Sequence, residues 1–322
     1  MGLPYGSGGA WGGATVHRTE HRIAGDGVMA RVDPHLSTID ATGEIPGTAG
    51  AHVVLRAARS PLVRRSALVI LSAGGAMALA WLLMTPGHGF DFYAYWAVDI
   101  ANPYGTTSGL GAFHYPPPFV WVAAPLSLAP FEVGYWAWTG LGILALAWLT
   151  RRWVLAWLLF PPVISELYHG NVNLFIAVGV VVGFRTAVAW GLVGMAKVTT
   201  GVVVIWPLLR GDWRSVGLCL ATVALVALPT IFVTPQLWVD WLQHLVVRGG
   251  EPSQGGAEIE IPLGLRLVAA VALIAWGTRA NRRWVVAPAV VLAMPILWVH
   301  SLAVLAALPR LLEARADPAH RT

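Results

Sequence analysis

The chain has 322 residues, of which 57% are hydrophobic and 11% charged, with a formal net charge of +5. A typical soluble domain carries about 25% charged residues, so these proportions exclude an ordinary soluble enzyme and imply a polytopic, all-α membrane protein. A single cysteine, Cys219, excludes a disulfide framework, and basic residues scattered in short clusters between apolar runs exclude a nucleic-acid partner.

Residues 1–60 are rich in Gly, Thr, Ala and His and lack a sustained helical or strand period. They read as a disordered cytoplasmic tail, with Met29 as an alternative start. The main domain is expected over 61–315, followed by a short cytoplasmic tail at 316–322. Ser66 to Thr85 holds no charged residue and is long enough to cross a hydrocarbon core of about 30 Å. Arg56, Arg59, Arg64 and Arg65 precede it, which puts that side in the cytoplasm by the positive-inside rule. From Ser66 to Thr150 there is no Lys or Arg, while Asp91, Asp99 and Glu132 are acidic. Residues 86–132 are therefore expected outside.

Later arginines mark further returns to the inner face: Arg151-Arg152, Arg185, Arg210 with Arg214, Arg279 with Arg282-Arg283, and Arg310 with Arg315. Segments 153–166 and 171–184 form a hairpin with Glu166, His169, Asn171 and Asn173 at its turn. The stretch 186–209 has Lys197 near its middle. One reading is two short helices with Lys197 at the apex; the other is a single crossing. Helices are expected over 215–233 and 263–277, joined by an outer loop with Gln243, His244, Arg248, Glu251, Gln254, Glu258 and Glu260. Glu258 and Glu260 read as solvated. The last pair, 284–298 and 301–312, has Trp298 and His300 at its apex. Parity makes 133–150 a crossing. The run 116–130, interrupted by Pro116, Pro117, Pro118, Pro125 and Pro130, becomes a juxtamembrane or re-entrant segment. The total is about ten transmembrane or half-length helices, since a helix of about 11 residues spans only about 17 Å. Gly179 and Gly183 form a G-x-x-x-G pattern that favours close helix contact.

Asp91, His114, His169, Asn171, Asn173, Lys197 and His300 all fall on the outer side of this topology. Polar groups at membrane depth are costly and mark substrate paths. Each also has a plainer reading: solvation for Asp91, packing for His114 and Tyr115, helix capping for the His169–Asn173 turn, snorkelling for Lys197, and a core histidine for His300. Neither a G-x-x-x-x-G-K-[ST] loop nor an H-E-x-x-H pair occurs, so no metal is expected.

Five strings then resemble one family in order. They are Asp91-Phe-Tyr-Ala-Tyr95 with Asn102-Pro-Tyr104, Phe113-His-Tyr-Pro-Pro-Pro-Phe119, His169-Gly-Asn-Val-Asn173, Gly194-Met-Ala-Lys-Val-Thr199, and Met294-Pro-Ile-Leu-Trp-Val-His300. Over roughly 66–312 the chain resembles bacterial GT-C-fold glycosyltransferases that use polyprenyl-phosphate sugars, the α-mannosyltransferase and arabinofuranosyltransferase type. His169 stands where the family pattern has Gln, and Val198 where it often has Pro. The resemblance implies a GT-C-like fold, a lipid-linked sugar donor, and a glycolipid or glycan acceptor from the cell envelope. It implies no cofactor, with Asp91 as general base and Lys197 and His300 steadying the leaving phosphate. Tyr95, His114, Tyr115, His169, Asn171, Asn173 and Trp298 would bind substrate, and the apolar helix grooves would hold lipid. A transporter or flippase, and a non-catalytic scaffold, are the competing readings.

Overall fold

The computed structural model describes residues 87–250 and 258–313, with isolated positions between 65 and 84. The two expected tails and Glu251 and Gln254 lie outside the described residues, and so does half of the first crossing expected at 66–85. Among the described residues the chain is all-helical, and its sole extended pairing is one antiparallel bridge between Glu258 and Trp298.

The helix Phe90–Trp96 carries Asp91 in its first turn, where a carboxylate favours the positive end of the helix dipole. The Pro-rich run is more helical than its composition suggests. Pro117–Ala123 is an α-helix, continued by a 3-10 turn over Ala124–Leu128. Pro116 is the N-cap, and Pro117 and Pro118 fall in the first turn, where no N–H is needed. The element is short, with the 3-10 turn following the α-helix directly.

Phe131–Thr150 is a 20-residue helix ended by Arg151 at φ 54. The chain then passes through short helical turns and a break at Phe160 into Pro161–His169, again with prolines at its start. Asn173–Gly183 and Val188–Ala196 follow, and Lys197 then breaks the helix with extended backbone (φ −142, ψ 106). A 3-10 stretch Val198–Val204 leads into Ile205–Leu209. The two-helix reading with Lys197 at the apex is thus the one adopted. Trp213–Val233 is capped by Asp212, which accepts from Ser215 N at 3.1 Å. The expected outer loop after it is corrected in part, because Pro235–Gly250 is a helix. Trp238, Trp241, Leu237 and His244 recur at spacings of three and four, giving it a face to bury. Leu263–Arg279, Val286–Leu292, the 3-10 stretch Val299–Ala307 and Leu308–Glu313 complete the described fold.

Trp213–Val233, and the helical stretch Phe131–Leu158 that runs on through the turn at Arg151, are long and apolar enough to cross a membrane, yet only 22% of an 18-residue apolar stretch in each is buried. Leu144, Leu225 and Phe232 face outward from them. Such a surface is stable against lipid rather than water. The remaining helices are shorter. Asn173–Gly183, at 11 residues, spans about 17 Å, and it packs between Val188–Ala196 and Val299–Ala307. Gly183 makes room there for the indole of Trp190, whose Nε1 donates to Val180 O at 3.1 Å.

One turn fixes the distance between the first helix and the Pro161–His169 helix. Gly170 ends the latter with φ +72, and a Cβ there would stand 2.7 Å from Phe92 Cβ. Gly89 N donates to Tyr168 O at 2.7 Å and ties the same two segments. Gly170→Ala is expected to destabilise the protein by about 1–3 kcal/mol, combining left-handed strain with displacement of Phe92. Gly217→Ala, with open space around it, should leave the melting temperature unchanged or raised. Thermal unfolding in detergent compares the two.

Candidate active site

Four turns meet around a buried carboxylate. Glu166, 1% exposed, lies near the end of Pro161–His169. It accepts from Asn173 N at 2.6 Å, Leu174 N at 3.2 Å and Asn173 Nδ2 at 2.8 Å. It thereby caps the next helix from a neighbouring one, satisfying N–H groups that the helix cannot pair itself.

Capping orients Asn173. Its Nδ2 is committed to Glu166, so its Oδ1 faces outward and accepts from Lys197 Nζ at 2.9 Å. Asn171 repeats the arrangement one step nearer the opening. Its Oδ1 accepts from Val172 N at 2.7 Å and Lys197 Nζ at 3.2 Å. Its Nδ2 donates to Asp91 Oδ2 at 2.9 Å and lies 3.4 Å from His300 Nε2. One carboxamide therefore joins the acid to the cation. His300 Nε2 is 3.8 Å from Asp91 Oδ2, an ion-pair distance if the ring is protonated but too long for a hydrogen bond. The Asp91 side chain is 24% exposed and that of His300 9%, so the carboxylate keeps an accessible face.

Trp298 lies parallel to the His300 ring, with centroids 6.1 Å apart, and His169 lies 5.6 Å from it on another side. His169 Nδ1 is 2.7 Å from Ser165 O, a carbonyl that can only accept. The Nδ1–H tautomer follows, leaving Nε2 as the acceptor of the neutral ring.

Of the residues singled out from sequence, Asp91, His169, Asn171, Asn173, Lys197, Trp298 and His300 come together here. Tyr95 and Tyr115 do not present their hydroxyls to the opening. Both are buried behind Asp91, hydroxyl to hydroxyl at 2.7 Å, in a cluster with Phe119 and Trp138. Their expected contact with a sugar gives way to support of the Asp91 helix. Glu166, read from sequence as part of a polar turn, is the largest omission from the expected site. Its signal was the helix beginning seven residues later at Asn173, in need of an N-terminal anion. Glu258 is also half-buried rather than simply solvated, and the next residue, Ile259, donates from its N to Leu297 O at 2.7 Å. Among the described residues no three His, Cys, Asp or Glu side chains are grouped to hold a metal ion.

His114 joins a second cluster. Its Nδ1 is 2.7 Å from His244 Nε2, and Trp241 Nε1 donates to its carbonyl at 3.2 Å. This docks the loop 97–116 on Pro235–Gly250. Tyr104, from the same loop, donates to Tyr115 O at 2.9 Å.

The outward apolar helices and the buried acid–amide–cation network define a membrane protein with a polar site built at the turns between helices. The chain belongs to glycosyltransferase family 87, whose sequence model matches residues 113–322. That span begins after Asp91 and takes in the rest of the network. Comparison with curated proteins and with solved structures returns no match.

Burial first, then the neighbouring His244 and Arg248, lower the pKa of His114 from 6.5 to about 4. The unfolded chain therefore binds the extra proton between those values, while the folded chain does not. Stability is expected to be fully present above about pH 6.5 and to fall as the pH drops towards 4. His114→Asn should flatten that slope in thermal unfolding curves recorded from pH 4 to 8.

Proposed function

We propose that this family 87 glycosyltransferase moves a mannosyl, or another pentosyl or hexosyl, unit from a polyprenyl-phosphate donor. The acceptor is a hydroxyl of a cell-envelope glycolipid or polysaccharide on the outer face of the membrane. The supporting observation is the continuous connection from the Asp91 carboxylate through Asn171 to Lys197. It sets a proton acceptor and a cation on opposite sides of one amide.

A sugar hydroxyl is a weak nucleophile. A carboxylate within about 3 Å takes its proton as attack proceeds, and Asp91 has an accessible face for that task. The acceptor oxygen then bonds to the anomeric carbon while the carbon–oxygen bond to the lipid phosphate breaks. The proton goes to Asp91, and the bonding pair leaves with the phosphate. Lys197 and His300 face the charge that grows there, with no cofactor or metal in the scheme. Asn171 holds Asp91 by its Oδ2, and Asn173, fixed by Glu166, holds the ammonium. Trp298 and His169 flank His300 as sugar-contact surfaces. The isoprenoid tail lies along the apolar helix grooves. A GT-C-like arrangement of about ten full and half-length helices, with both termini cytoplasmic, fits this reading.

Purified protein is offered polyprenyl-phosphate-linked mannose or arabinose with envelope glycolipids. Asp91→Asn is expected to lower transfer by about 100- to 10,000-fold, and Lys197→Met by a similar factor, with folding retained. Unchanged transfer by the Asp91 variant would remove the base assignment. Solute flux without transfer would make the protein a transporter.

A further inference from the structure

Arg266 lies within the otherwise apolar first half of the Leu263–Arg279 helix and is 5% exposed. A buried guanidinium needs partners for its donors. Here they are main-chain carbonyls. Nε donates to Ile261 O at 2.7 Å, Nη1 to Leu292 O at 3.0 Å and Met294 O at 2.5 Å, and Nη2 to Pro295 O at 3.1 Å. Glu258 lies close enough to act on its charge.

The carbonyls belong to a place where helix is lost. Val286–Leu292 ends at Ala293, and Pro295 prevents continuation. The carbonyls of Leu292, Met294 and Pro295 then lack the partners that another helical turn would supply. Arg266 takes all three. With the same side chain it holds Ile261, which follows the short pairing of Glu258 and Ile259 with Leu297 and Trp298. The unwound segment is thus fastened on two sides. Directly beyond it stand Trp298, whose N donates to Ser301 Oγ at 3.3 Å, and His300, 3.8 Å from Asp91.

We propose that Arg266 is a positioning residue that sets the unwound 293–298 segment, and through it the rings of Trp298 and His300, against Asp91. The hydrogen bonds it donates to this segment end on main-chain oxygens, not on the site's side chains. Its effect on catalysis passes through the main-chain carbonyls it holds, and that part of the inference rests on the transferase reading above.

Hydrogen–deuterium exchange and donor kinetics of purified Arg266→Met, Arg266→Lys and the exposed-site control Arg214→Met test this. Arg266→Met is expected to speed exchange across 293–301 by about ten- to a hundredfold, the scale of losing charge-assisted hydrogen bonds. Exchange in 131–150 should stay unchanged. Its kcat should fall by about tenfold or more with KM for the donor within about threefold, because His300 acts on the leaving group rather than on ground-state binding. Arg266→Lys should recover part of both effects, and Arg214→Met should show neither. Exchange at 293–301 that is unchanged, or raised equally throughout the chain, would overturn the proposal. So would faster local exchange with unaltered kcat. If the wild-type protein transfers no sugar, the transferase reading fails, and the exchange data alone decide whether Arg266 fixes the segment.

Discussion

The arrangement of Asn171, Asn173 and Lys197 depends on where the Glu166 carboxylate finds its hydrogen bonds. A buried carboxylate is costly unless its oxygens are occupied. Here two backbone N–H groups and one amide occupy them. That solution fixes three things together. It starts the Asn173–Gly183 helix, it selects the orientation of Asn173, and it leaves a carbonyl oxygen aimed at Lys197. Lys197 in turn holds the Oδ1 of Asn171, which forces the Nδ2 of that residue towards Asp91. Each amide has only one orientation compatible with its neighbours. The acid–cation separation is therefore set by side chains that carry no charge themselves.

The helices supply little specificity to this arrangement. Most are short and apolar, and several end where a glycine or proline stops them. The site groups sit on those interruptions: Asp91 after Gly89, Asn171 after Gly170, Lys197 in extended backbone, and His300 beyond Pro295. Interruptions in a membrane protein expose backbone groups that must be satisfied internally. Glu166, Asn171 and Arg266 do this while also arranging the site. Structural repair and site geometry are carried by the same side chains.

Much of this could be read from the residues. Lys197 stands alone in a long apolar stretch, and no surface helix explains it. Asp91 lies in a region without basic residues. The apex residues Trp298 and His300 follow a proline that ends a helix. What was hidden depends on pairing across the chain. Glu166 precedes its helix by seven residues and belongs to a different element, so no local capping pattern reveals it. Tyr95 and Tyr115 carry groups suited to sugars, but only packing shows that each hydroxyl is spent on the other. The Pro235–Gly250 helix begins at a proline and carries Gln, Asp, His and Arg, so it resembles a loop until its tryptophans find a surface. The triple proline at 116–118 signals a helix start as readily as a helix break, and only position decides between them.

The contact between His114 and His244 has a further consequence. A bond from Nδ1 of one imidazole to Nε2 of the other contains a single proton. Whichever nitrogen owns it, the other must offer a bare lone pair. The two neutral rings therefore cannot choose tautomers separately, and a change in one must be matched in its neighbour 130 positions away. Through Trp241, which holds the His114 carbonyl, the loop and the helix it rests on share one bookkeeping of protons.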